Sequence, residues 1–100
     1  MIDVNTRIER MLPDLVAWRH DLHAHPEIAF QEHRTSAVVA EKLKAFGLEV
    51  HTGLAGTGVV GVLRCGDGAA VGLRSDIDAL PIEEATGLPY ASTNPGHMHA

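Results

Sequence analysis

The sequence predicts an α/β chain in which two N-terminal helices precede three strands. Apolar residues recur at helical spacing through the first 46 residues, Gly47 then breaks the pattern, and a valine-rich stretch follows between turn glycines. That order, helices first and short strands after, is what an α/β domain begun from its helical side would show.

The first helix is expected to start at Thr6-Arg7-Ile8-Glu9, whose hydroxyl and carboxylate fit a capping box. Ile8, Met11, Leu12, Leu15 and Leu22 then follow one face, with Val16 and Trp18 alongside. Pro13 predicts a kink or a restart, because it lacks the N–H that the helix interior needs. Pro26 ends the segment and biases His25 toward extended backbone. The second helix is predicted from about Glu32 to Phe46, with Ala37, Val38, Val39, Leu43 and Phe46 as its apolar face. Gly47 is placed to cap it in the left-handed conformation, with Leu48 closing over it. Strands are predicted at 48–52, at 58–63 as a central strand buried on both faces, and at 69–74, with Cys65-Gly66-Asp67-Gly68 turning between the last two. From Asp78 onward the chain is rich in Pro, Gly, Thr and Asn, and a loop of that length points to function.

One hundred residues hold one domain at most, and 45% apolar residues are ordinary for a globular chain. Thirteen acidic residues against eight basic ones give a net charge of −5. With no basic stripe, nucleic acid is not an expected partner. No apolar run approaches membrane-spanning length and the start lacks a signal-peptide pattern, so no membrane partner and a cytoplasmic location are expected. Cys65 is the only cysteine, expected to pack as a small apolar side chain. The terminal Asn94-Pro95-Gly96-His97-Met98-His99-Ala100 reads as a loop leading into something further, so the chain is expected to be a piece of a longer protein.

The candidate chemistry centres on Arg74-Ser75-Asp76-Ile77-Asp78. In a strand, the i, i+2 spacing turns both carboxylates to one side, and two like charges held together need a metal ion or a basic side chain beside them. A pair of solvated turn aspartates is the plainer alternative. Glu83 and Glu84 could join an acidic pocket, although a solvated turn suits them better. His20, His23 and His25 cluster at the first helix exit, where a structural role is favoured. His97 and His99 form a second pair in the terminal loop, a place where function concentrates. Gly56-Thr57-Gly58-Val59-Val60-Gly61 matches G-x-G-x-x-G, with Asp78 about twenty residues on. A dinucleotide-binding module, however, needs a helix N-terminus right after those glycines, and here they open a valine-rich strand.

Four stretches taken together resemble the N-terminal part of the M20 metallopeptidase family. They are Arg19-His20-Asp21-Leu22-His23-Ala24-His25-Pro26-Glu27 with Phe30 and Glu32, Thr57–Gly61, Arg74–Ile82, and Gly96-His97-Met98-His99-Ala100. The branch resembled contains hippurate hydrolase, N-acyl-amino-acid aminoacylases and indole-acetyl-amino-acid hydrolases. The resemblance implies that residues 1–100 are the N-terminal part of the catalytic domain, without the family's small dimerisation domain. It also implies divalent metal ions (zinc, manganese, cobalt or nickel), two per intact site. A metal-activated water would attack the amide of an N-acyl amino acid, with a glutamate moving the proton. In that family the terminal stretch continues as Cys-Gly-His-Asp-Gly-His, which supplies metal ligands. By position, Asp76 falls where many branches place a ligand histidine, Asp78 falls on the orienting position, and His97 and His99 lie near the site. The intact protein is expected to be a homo-oligomer acting on a small-molecule substrate, and the 100-residue chain by itself to be inactive. A truncated, non-catalytic gene product is the alternative.

Overall fold

The computed structural model describes Met1 and residues 3–100. Helix α1 spans Val4–Ala24, α2 spans His33–Ala45, and strands β1 (Glu49–Leu54) and β2 (Gly58–Val62) follow.

Helix α1 starts one turn earlier than the capping box at Thr6 predicts. Asp3 is the N-cap, its carboxylate accepting the Thr6 N–H at 3.2 Å. A carboxylate at that position satisfies an orphan donor and meets the positive end of the helix dipole. The helix runs on through Pro13 without a restart. It ends at His25, which leaves the helical region at φ −124°, ψ 59° ahead of Pro26, without reaching fully extended backbone. None of its side chains is buried, and Ile8, Met11, Leu12, Leu15 and Val16 are all exposed. Helix α1 meets α2 through Trp18, whose ring lies 6.0 Å from that of Phe46 and under the Lys42 ammonium at 4.7 Å.

Helix α2 is capped from a distance. Its own N-cap residue, Glu32, makes no side-chain cap bond. Instead Glu27 reaches over, and its carboxylate accepts from the N–H of Arg34 (3.0 Å), the N–H of Thr35 (2.6 Å) and the Thr35 hydroxyl (2.7 Å). Thr35 is 2% exposed, so these partners are the ones its polar atoms have. Burial pulls the Glu27 carboxyl up, but the Thr35 and Arg34 donors outweigh it and hold it below the usual range. At the other end the predicted cap is present. Gly47 sits at φ +84°, its N–H donates to the Lys44 carbonyl, and the Leu48 N–H donates to that of Leu43. This pair of bonds is a Schellman motif.

Strands β1 and β2 form an antiparallel hairpin against α2, with Glu49 opposite Val62 and Leu54 opposite Gly58. Ala55 (φ +51°) and Gly56 (φ +93°) make the turn. Gly58 has no room for a side chain, because a Cβ there would lie 2.6 Å from the Leu54 carbonyl oxygen. The α/β class holds, but two of the strand expectations need correction. Strand β2 is half-buried in a two-stranded sheet rather than central. Residues 69–74 form no strand; Val71 is 89% and Leu73 98% exposed. A strand exists only through pairing, and among the described residues nothing pairs with this segment. Cys65 is also exposed rather than packed.

Downstream, single bridges replace sheet. Ala79 pairs in parallel with Ile28, its N–H reaching the Glu27 carbonyl at 2.7 Å, and Leu80 pairs antiparallel with Met98. Ala79 is one of the most buried apolar residues. The terminal segment lies against the exit of α1, where Thr93 bonds the Ala24 carbonyl and Asn94 the Pro26 carbonyl.

Candidate active site

Asp76 and Asp78 lie just before the Ile28–Ala79 bridge, in irregular backbone rather than in a strand. Both line a cleft of about 270 Å³ with Phe30, Glu32, Thr57 and Gly58. Their like charges are handled separately. Arg74 supplies the basic partner for Asp76, at 2.7 Å on the open surface. Asp78 is near enough to His99 for its charge to pull that imidazole's pKa up.

His99 and His97 are part-buried rather than solvated. The two residues flank Met98, whose backbone exchanges both hydrogen bonds with Leu80, at 2.9 and 3.0 Å. Alternation along an extended segment turns residues 97 and 99 toward the same side. His99 Nε2 and His97 Nδ1 are both shielded from solvent and have no hydrogen-bond partner. Burial pushes the His99 pKa down, the nearby His23 pushes it further, and Asp78 opposes both. A neutral imidazole with a free ring nitrogen is the form that binds a metal ion. An unpartnered imidazole nitrogen is chemically able to take a metal ion, whereas Asp76 is held by Arg74 in its present contact. Among the described residues no three His, Cys, Asp or Glu side chains gather as a metal-holding group.

The first histidine cluster has other work. The His23 imidazole lies 2.8 Å from the Glu84 carboxylate, His20 stacks on Tyr90 at 3.7 Å, and His25 bonds the Asp21 carbonyl at 2.8 Å. Glu84 is not a solvated turn residue. Its side chain is 4% exposed and accepts from the Thr86 hydroxyl, the Ser92 N–H at 2.9 Å and His23, which together hold its carboxyl low. Glu83 accepts the Gly96 N–H at 2.6 Å. Sequence reasoning missed both roles, because apart from Thr86 the partners lie between 8 and 61 residues away. Glu32 is also buried, at 5% exposure, with the Thr57 hydroxyl as its donor. The glycines of Gly56–Gly61 open strand β2 rather than a helix, which removes the dinucleotide-binding alternative.

No family model matches the chain. Individual proteins do. The chain is 51% identical over 83 residues to hippurate hydrolase of Campylobacter jejuni, covering 82% of this chain and 22% of that protein. It is 39% identical over 99 residues to the N-acyl-L-amino acid amidohydrolase of Geobacillus stearothermophilus, covering 98% of this chain and 27% of that one. The chain therefore spans roughly a quarter of the length of these relatives. Among solved structures, a Bacillus subtilis protein described as a dinuclear metal-binding peptidase of the M20 family superposes with a TM-score of 0.83. It shares 39% identity, over 91% of this chain and 26% of that one. A second, from methicillin-resistant Staphylococcus aureus, superposes at 0.89 with 37% identity over 95% of this chain and 26% of that one. With 37–51% identity over 82–98% of its length and a backbone that superposes closely, the chain belongs to the M20 peptidase family.

Proposed function

We propose that the protein carrying this chain is a metal-dependent amidohydrolase that cleaves the amide joining an acyl or aryl group to an amino acid. The observation that carries this reading is the 51% identity to a hippurate hydrolase. The similarity to a peptidase described as dinuclear and metal-binding supports a pair of metal ions; zinc, manganese, cobalt and nickel are the candidates the family resemblance offers. When bound, such ions acidify a water molecule and polarise the scissile carbonyl. The orphaned nitrogens of His97 and His99 support placing this segment beside the metals. Asp78, which opposes the burial-driven fall of the His99 pKa, is assigned the orienting role. Asp76 takes the ligand position only by leaving Arg74. The 270 Å³ cleft has room for part of a small substrate. A homo-oligomeric state of the whole protein belongs to the same proposal.

The test is hydrolysis of hippurate and of N-acetyl amino acids by the whole protein, before and after chelation and with each metal restored. Activity that is metal-dependent supports the reading; no turnover of either substrate class with any of the four metals refutes it. The 100-residue chain is expected to show no turnover, because among the described residues its own donors do not gather into a metal-holding group. Reading the coding sequence past Ala100 separates the alternatives. A following Cys-Gly-His-Asp-Gly-His favours the enzyme, and a stop codon favours a non-catalytic product.

A further inference from the structure

Two non-glycine residues among those described carry left-handed backbone, Phe30 at φ +65° and Ala55 at φ +51°, and both line the cleft that Asp76 and Asp78 share. The Gln31 N–H donates to the Ile28 carbonyl at 3.0 Å, so Phe30 is the third residue of a four-residue turn. With positive φ, that turn position ordinarily takes glycine. The turn is held from both sides. Ile28 before it is bridged to Ala79, and Glu32 after it is buried with the Thr57 hydroxyl donating to its carboxylate. Burial of the ring could repay the strain, yet Phe30 is 72% exposed in this chain. Strained backbone of this kind persists where its surroundings over-determine it, and it gathers at ligand clamps.

The cleft is divided in character. Phe30, Leu54, Ala55 and Ile77 give it an apolar lining, while Glu32, Asp76 and Asp78 bring three carboxyl groups. An N-acyl amino acid has one charged end and one uncharged end. Carboxyl groups on the cleft wall repel the amino-acid carboxylate, whereas an acyl or aryl group carries no charge to be repelled. A cavity of about 150 Å³ accepts a benzene ring, so a cleft of about 270 Å³ has room for a benzoyl group. An exposed phenyl ring beside it gains more from an aromatic partner than from a methyl group.

We propose that Phe30 is a specificity-determining residue whose ring, with Leu54 and Ile77, forms the apolar wall that receives the acyl or aryl group of the substrate. This rests on the amidohydrolase reading above and assigns a subsite within it.

The experiment compares the whole protein with its Phe30→Gly, Phe30→Leu and Leu54→Ala variants. Two substrates are used, hippurate and N-acetylglycine, which share glycine and differ only in the acyl group. The ratio of their kcat/KM values therefore reads the acyl subsite alone. Phe30→Gly suits the turn, so its melting temperature should be no lower than the parent's, while the hippurate-to-acetylglycine ratio falls by about tenfold or more. Phe30→Leu keeps apolar bulk and should lose less, and Leu54→Ala should lower the ratio in the same direction. An unchanged ratio in Phe30→Gly overturns the proposal, whatever the melting temperature does; a drop in that temperature with the ratio unchanged is the signature of later chain packing on the ring. If Phe30→Gly does not fold, the ratio in Phe30→Leu decides. No turnover of either substrate by the parent counts against the amidohydrolase reading. Calorimetric binding of the same two compounds to the chelated protein then decides the subsite: a preference for hippurate that Phe30→Gly abolishes supports it, and no preference or an unchanged one overturns it.

Discussion

Replacing Glu27 by alanine is expected to be among the most damaging single changes in the N-terminal half. The carboxylate caps α2 across seven or eight residues and takes three donors, one of them the hydroxyl of the nearly inaccessible Thr35. Loss of an N-cap costs about 1 kcal/mol, and stranding a buried hydroxyl adds about 1–3 kcal/mol, so a loss of about 2–4 kcal/mol is expected. That is a large share of the roughly 5–15 kcal/mol that holds a domain folded. In a urea titration followed by far-UV circular dichroism, the midpoint should fall by about 1–3 M at the slope usual for small chains. Glu27→Gln, which keeps an acceptor but not the charge, should lose about 1 kcal/mol. The folded-state pKa of Glu27 lies below its unfolded value. Its contribution is therefore complete above the ordinary glutamate range and is lost as pH falls through the depressed folded value. Glu27→Gln should remove that part of the acid limb. A Glu27→Ala midpoint within about 0.3 M of the parent would show that the distant cap contributes nothing.

Gly58→Ala should destabilise the hairpin by about 1–3 kcal/mol, because its Cβ would collide with backbone at Leu54 rather than with a side chain that can move; thermal unfolding reads this directly. Ala55→Gly should gain stability of about 0.5–1 kcal/mol by relieving left-handed backbone at φ +51°, and an unchanged or lower melting temperature would refute it. Pro13→Ala should strengthen α1 by up to about 3 kcal/mol, seen as greater helicity and a higher melting temperature, since the helix already passes through that position. Cys65, exposed in the turn after β2, should react with a thiol reagent in the native chain as fast as in the denatured one.

Features legible in the sequence are those whose cause is local. Gly47 followed by Leu48 announces the end of α2, because the left-handed cap and its two bonds involve neighbouring residues. Pro26 stops α1 through sterics with the residue beside it. The valines after Gly58 identify a strand, and that suffices to separate a hairpin turn from a phosphate loop. The capping box places the start of α1 at Thr6, and only the observed bond from the Thr6 N–H to Asp3 shows that the helix begins a turn earlier. The segment 69–74 has strand composition without a strand, since composition describes a residue's fitness for a sheet and pairing requires a second chain segment.

The candidate site divides in the same way. Asp76, Asp78, His97 and His99 stand out by residue type and spacing, and the need for a basic partner between like charges is met by Arg74, two residues from Asp76. Nothing local to Glu83, Glu84 or Glu27 tells a structural carboxylate from a solvated one. Most of their partners lie far along the chain, and for Glu84 and Glu27 partial burial adds to what those bonds are worth. The helices, the hairpin, the family resemblance and the residues able to do chemistry can all be read from the order of amino acids, because they depend on periodicity, turn stereochemistry and side-chain type. Folding in three dimensions is what leaves His97 and His99 with free shielded nitrogens and sets the shielded Glu84 carboxylate against His23 and the Ser92 N–H. Each of these is a matter of which groups meet away from water, and the linear order of residues does not specify that.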